Sequence, residues 1–169
     1  FEIYKIIQEK DYDGVPKIKE LFYSPENDKY ILYEECVPGY TIDELFKKGT
    51  QFSKKFVIKM ATALCNILKP IHNDNLIHRD ISPNNVMYSQ IEDKFYLIDF
   101  GNSRLNKINT PKDTVFAGTP IFMAPEQGGV GTQSDNRTDI YAIGMLMKFM
   151  LTKNTTDKKS KIRGRLGKI

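Results

Sequence analysis

An α+β fold is predicted from three features of the chain, which come in order. Residues 15–37 alternate apolar and polar side chains around a turn, the stretch from Ser53 to about His72 has helical periodicity, and "TDIYAIGMLMKFMLT" has apolar residues on nearly every side. Strands therefore come first and helices dominate afterwards.

The elements follow from local chemistry. In "VPKIKELFYSPENDKYILYEECV" the Pro, Asn and Asp of "SPENDK" form a turn between two strands. "PGYTIDELF" opens a short helix, with Thr41 and Glu44 at the spacing of a reciprocal cap. Phe56, Met60, Ala63, Leu64, Ile67, Leu68 and Ile71 then recur on one helical stripe, with Pro70 expected to bend or fray the last turn. "KFYLIDFGN" is a short apolar run that ends in Asp and Gly, and "PKDTVFAGTPIFMAPEQGGVGTQSDN" has the composition of an irregular segment. Residues 138–152 should form a buried helix. No internal repeat is present.

Composition limits what these elements can do. With 169 residues, 40% of them hydrophobic, the chain can bury the core of one domain or a little more. Cys36 and Cys65 sit in apolar surroundings without metal-ligand spacing and are expected to be buried free thiols, which suits a reducing, cytoplasmic setting. The longest apolar run, "IYAIGMLMKFML", is too short to span a bilayer and contains Lys148, so no membrane segment is expected in this chain. The net charge of +4 belongs to one end: residues 153–169 hold seven bases and one acid, against 18 bases and 20 acids elsewhere. That run lacks interleaved aromatics and reads as a solvated tail, not a nucleic-acid surface.

The chemistry is concentrated in "IHRDISPNNVM", where Asp80 and Asn85 lie five residues apart. Three further marks follow in order: Asp99, Phe100 and Gly101 in "LIDFG"; Thr119, Pro125 and Glu126 in "GTPIFMAPE"; and Asp139 and Gly144 in "TDIYAIG". Each alone is weak, because an Asp before a Phe-Gly turn is commonly just a turn. Together, at these separations, they resemble the eukaryotic-type protein kinase family, of the serine/threonine type, and "HRDIS" with "APEQ" looks like its bacterial members.

The resemblance implies a kinase-like fold, mostly the helical C-lobe with the last strands of the N-lobe. Residues 1–37 would be the N-lobe remnant and hinge, 38–152 the C-lobe, and 153–169 a basic tail. It also implies ATP and magnesium as cofactors and a protein as acceptor. Asp80 would orient the attacking hydroxyl and take its proton, while Asn85 and Asp99 would hold the metal. Thr119 would contact Asp80. Glu35 by its carbonyl and Val37 by its amide would meet the adenine edge, Met87 would lie beneath the ring, and Glu34 would stand at the gatekeeper position.

The supporting residues carry expectations too. His78 should pack with Phe100 in the core, His72 should lie on a helix surface, and Asp139 should tie the buried helix to the catalytic-loop backbone. Arg79, beside the base, would receive a phosphorylated activation segment running from Asp99 to Glu126, with Thr110 and Thr114 as acceptors.

The pattern departs from the family in three ways. Ser82 stands where most serine/threonine kinases have a Lys near the transferring phosphate; its hydroxyl can donate a hydrogen bond but brings no charge. No Gly-rich loop or strand Lys occurs before the hinge-like residues, so the chain is expected to be a portion of a kinase domain that alone binds ATP weakly and transfers no phosphate; Glu2 is not assigned to the family's ion-pairing Glu. The Arg that would pair with Glu126 is also absent. Two rival readings remain at this level. A catalytically silent binding module would commonly lose Asp80 or Asp99, and a small-molecule kinase of the aminoglycoside type normally lacks the Arg before the Asp and the "APE" segment.

Overall fold

The structure, a computed structural model, describes residues 1–106, 118–128 and 134–152. Thr110, Thr114 and the basic tail lie outside the described residues.

Helix α1 (Glu2–Lys10) leads into an antiparallel hairpin of β1 (Ile18–Ser24) and β2 (Lys29–Glu34), in register from Leu21↔Leu32 to Ser24↔Lys29. The turn at 25–28 places Asp28 at φ 50°, a left-handed conformation that Asp tolerates better than most residues. The hairpin's aromatics pair across the strands, Tyr23 with Tyr30 on one face and Phe22 with Tyr33 on the other, and all four are exposed.

The second helix, α2 (Ile42–Lys47), has the predicted reciprocal cap: the Glu44 amide donates to Thr41 Oγ1 at 3.1 Å and the Thr41 amide to Glu44 Oε2 at 2.7 Å. Helix α3 (Lys54–Asn73) starts at Ser53, whose Oγ accepts from the Phe56 amide. It continues through Pro70, and the Asp74 amide donates to the Pro70 carbonyl, so the expected fraying of the last turn is not seen. The buried stripe is Val57, Met60, Leu64, Ile67, Leu68 and Ile71.

Short strands then build the frame of the site. β3 (Tyr40–Thr41), β5 (Val86–Ser89) and β6 (Lys94–Leu97) form one antiparallel sheet in the order β3-β5-β6. β4 (Leu76–Ile77) pairs with β7 (Arg104–Leu105). A single 3-10 turn, Pro125–Gly128, precedes α4 (Asn136–Thr152). The core joins the α3 stripe to Ala142, Ile143, Leu146, Phe149 and Met150 of α4 and to Ile81, Val86, Leu97 and Phe100 beside the site. Burial of this apolar surface is the main driving force that brings the segments around residues 78–85, 99–102 and 118–127 together.

Three expectations are corrected here. Both cysteines are exposed: Cys65 falls one position off the buried stripe of α3, and Cys36 lies on the link after β2. The buried-thiol argument therefore loses its basis. The last helix is not buried all round, since Ile140 and Tyr141 face solvent. His72 is not a surface residue; it packs inward against Asp139. Among the described residues no helix is long and apolar enough to cross a membrane.

Candidate active site

The site is built around a loop that one buried carboxylate holds in place. Asp139, fully buried near the start of α4, accepts the His78 amide at Oδ2 (3.0 Å) and the Arg79 amide at Oδ1 (2.8 Å). His72 Nε2 lies 2.8 Å from the same Oδ2. A buried carboxylate is tolerated because donors surround it. The expected tie between the buried helix and the loop is therefore present, with His72 as a third partner.

Arg79 adopts φ 69°, unusual for a residue with a long side chain. Both ends of its backbone are fixed: its amide by Asp139, and its carbonyl by Gln127 Nε2 at 2.7 Å. Gln127, almost fully buried, also accepts the Ala124 amide through Oε1. Next to this contact Gly118 sits at φ 121°, where an added Cβ would lie 2.7 Å from the Arg79 carbonyl oxygen. Only glycine allows that approach.

The loop presents Asp80. Its Oδ1 accepts the amide and the hydroxyl of Thr119, each at 2.8 Å, and its Oδ2 accepts Asn85 Nδ2 at 3.1 Å and Asn102 Nδ2 at 3.0 Å. Asn85 Nδ2 also donates to the Asp80 carbonyl at 2.9 Å. These bonds use the carboxamide nitrogen of Asn85, which leaves its oxygen available to a cation. The Ile98 amide donates to the Asn85 carbonyl at 2.9 Å, which brings Asp99 beside Asn85. Asp99 is exposed at φ 61°, a conformation its own side chain supports: Oδ1 accepts the Gly101 amide at 3.0 Å. The second carboxylate oxygen is not used in that turn. Two hard oxygen donors at one rim suit magnesium, which keeps waters and phosphate oxygens for the rest of its shell.

The electrostatics concentrate at the same rim. Partial burial, then the charges of Asp99 and Glu34, push the Tyr4 hydroxyl up to about 12, against a lowering bond from the Phe100 amide. Glu34 keeps an exposed side chain, yet surrounding protein and the Asp99 charge raise its carboxyl. Negative charge is thus crowded around Asp99, which favours a cation there. His78 is buried, its ring 4.6 Å from that of Phe100 in an edge contact, as expected of a core histidine. Burial holds its pKa below the usual value, opposed by Asp139, by the Ile98 carbonyl at 3.2 Å, and by Asp80 and Asp99.

The other predicted positions are placed as follows. Glu35 is exposed and its amide donates to the Lys17 carbonyl at 2.8 Å; Val37 is buried; Met87 is half-buried on β5 opposite Thr41. Ser82 is fully buried, and its hydroxyl has no hydrogen-bond partner. Glu126 Oε1 accepts the Thr138 hydroxyl at 3.0 Å. Asn102 and Gln127 are site residues that sequence reasoning missed. The signal for Asn102 was its place directly after the Asp-Phe-Gly turn; for Gln127 there was only the "APEQ" run.

Comparison with known proteins decides the family, since residues 2–165 match the protein kinase domain. The chain belongs to the protein kinase family. Among this kinase's relatives, serine/threonine-protein kinase C of Synechocystis sp. is 31% identical over 147 residues, covering 83% of this chain and 27% of the relative. Serine/threonine-protein kinase B of the same organism is 32% identical over 154 residues, covering 86% and 26%. This chain thus spans about a quarter of the length of these curated relatives. The PK-1 kinase of Cydia pomonella granulovirus shares the fold, with a TM-score of 0.75 at 19% identity, over 91% of this chain and 54% of that one. The α+β, kinase-like fold read from the sequence is therefore the observed one.

Proposed function

We propose that this kinase chain serves ATP-dependent phosphoryl transfer to serine and threonine hydroxyls of proteins. The observation that carries the proposal is the Asp80 carboxylate, which Thr119 and Asn85 hold at the rim where Asn85 and Asp99 present their free oxygens. In the reaction the acceptor oxygen forms a bond to the γ-phosphorus, and the bond to the β,γ-bridging oxygen breaks. Asp80 orients the acceptor hydroxyl and takes its proton. Asn85 and Asp99 would hold magnesium, which neutralises charge on the phosphates. Thr119 keeps the Asp80 carboxylate in one orientation, so that little reorganisation is needed when the acceptor arrives. Glu35, Val37 and Met87 would receive the adenine, the first two through backbone groups. Ser82 adds at most a neutral contact. Consumption of ATP fits a cytoplasmic setting.

Calorimetric titration of the full-length protein with ATP tests the metal assignment. Asp99→Ala should weaken binding at least tenfold in magnesium and much less in EDTA, whereas Asp80→Ala should leave affinity within about threefold. Equal losses for both variants, or an Asp99→Ala effect indifferent to magnesium, would remove the proposed division of labour.

A further inference from the structure

The Asp80 carboxylate is full. An ionised carboxylate offers about four lone-pair positions, and four donors take them: the Thr119 amide and hydroxyl at Oδ1, and the Asn85 and Asn102 carboxamides at Oδ2. A hydroxyl that is to pass its proton to Asp80 needs one of these positions, so one donor must leave.

Anchoring decides which donor gives way. Thr119 donates to Asp80 through its backbone as well as its hydroxyl. Asn85 is buried, its Nδ2 also reaches the Asp80 carbonyl, and its backbone bonds both the Ser82 carbonyl and the Ile98 amide. Asn102 is exposed, sits in the turn after Gly101, and makes one described side-chain bond, the one to Oδ2. Loss of that bond costs little, because water can replace it.

We propose that Asn102 is a placeholder for the acceptor hydroxyl: a positioning residue whose carboxamide occupies Asp80 Oδ2 until the protein substrate displaces it. The inference rests on the reading of Asp80 as the base. Its consequence is that acceptor binding always includes a competition with Asn102. Removing the carboxamide should therefore tighten acceptor engagement and leave the chemical step alone, the reverse of what loss of a supporting contact would do.

The test uses the full-length protein with Mg-ATP and dephosphorylated casein as acceptor. Asn102→Ala should lower KM for casein about three- to tenfold, the range of one hydrogen bond, with kcat within about twofold. Asn102→Ser, too short to reach Oδ2, should show the same shift. With 15N-asparagine labelling, the Asn102 carboxamide signal, identified by its absence from the alanine variant, should move when a serine peptide is added and stay for the alanine peptide of otherwise equal sequence. A fall in kcat with KM unchanged would overturn the proposal, since Asn102 would then hold Asp80 during transfer. So would an Asn102 signal indifferent to the serine peptide while the Asn85 signal moves. A parent protein whose transfer is untouched by Asp80→Ala would instead remove the base assignment and this inference with it, an outcome distinct from the other two.

Discussion

Ser82 shows how one buried atom can change the meaning of a motif. Its hydroxyl is sealed from solvent without a partner, which costs free energy relative to a methyl group in the same space. Ser82→Ala should therefore keep or raise stability, by up to about 1 kcal/mol in chemical denaturation, and lower the transfer rate only a few-fold. A large loss of rate with stability intact would mean that the hydroxyl turns toward the reacting phosphate during the cycle. His78 supplies a second test at this scale. Its folded pKa is depressed, chiefly by burial, so below about pH 6.5 the unfolded chain binds a proton that the folded chain resists. Stability should then be lost as pH falls from about 6.5. Denaturation of His78→Phe across pH 5 to 8 should show a shallower loss than the parent, and equal slopes would mean that His78 binds its proton as readily in the fold as in the unfolded chain.

The elements are joined to the loop that carries Asp80 at two points. On one side Asp139 pins the start of α4 to the His78 and Arg79 amides, and a change of the carboxylate disturbs both bonds at once. Asp139→Asn turns one acceptor into a donor facing an N–H, and should cost about 3 kcal/mol with a matching fall in transfer. On the other side the segment around Thr119 approaches closely enough that Gly118 has no room for a side chain. Gly118→Ala should push Thr119 away from Asp80 and reduce kcat at least tenfold, while α3 and α4 keep their helical signal in circular dichroism. A fully active alanine variant would show that the approach at 118 is not required for catalysis.

Over the whole molecule, what the sequence made legible was what depends on period or on a local motif. The α3 stripe and the Thr41 cap are set by residues within one or two turns of each other, and the Asp80–Asn85 pair by a five-residue span. Contacts made across the fold were legible only through the family resemblance, as for Thr119 and Asp139, or not at all. His72 reads as a surface residue by its helical position, yet α4 brings the Asp139 carboxylate to it from 67 residues away. Cys65 lies next to the apolar stripe in sequence but turned about 100° from Leu64 around the helix axis, enough to face water. Asn102 follows the Asp-Phe-Gly turn, where Asp99 adopts a left-handed backbone; the turn is legible in the sequence, but the bond that Asn102 makes to Asp80, 22 residues away, is not.

The measurement that bears most directly on the central claim is transfer of labelled γ-phosphate from ATP to casein by the full-length protein, compared between the parent and Asp80→Ala. The carboxylate is proposed to orient the acceptor and take its proton, a role worth about 10²- to 10⁴-fold in rate. Transfer by the parent should require magnesium and appear on serine or threonine, and Asp80→Ala should reduce it by at least a hundredfold while ATP affinity is nearly unchanged. A variant that retains the parent's rate would contradict the account and leave the Asp80 cluster a structural tie within a nucleotide-binding module.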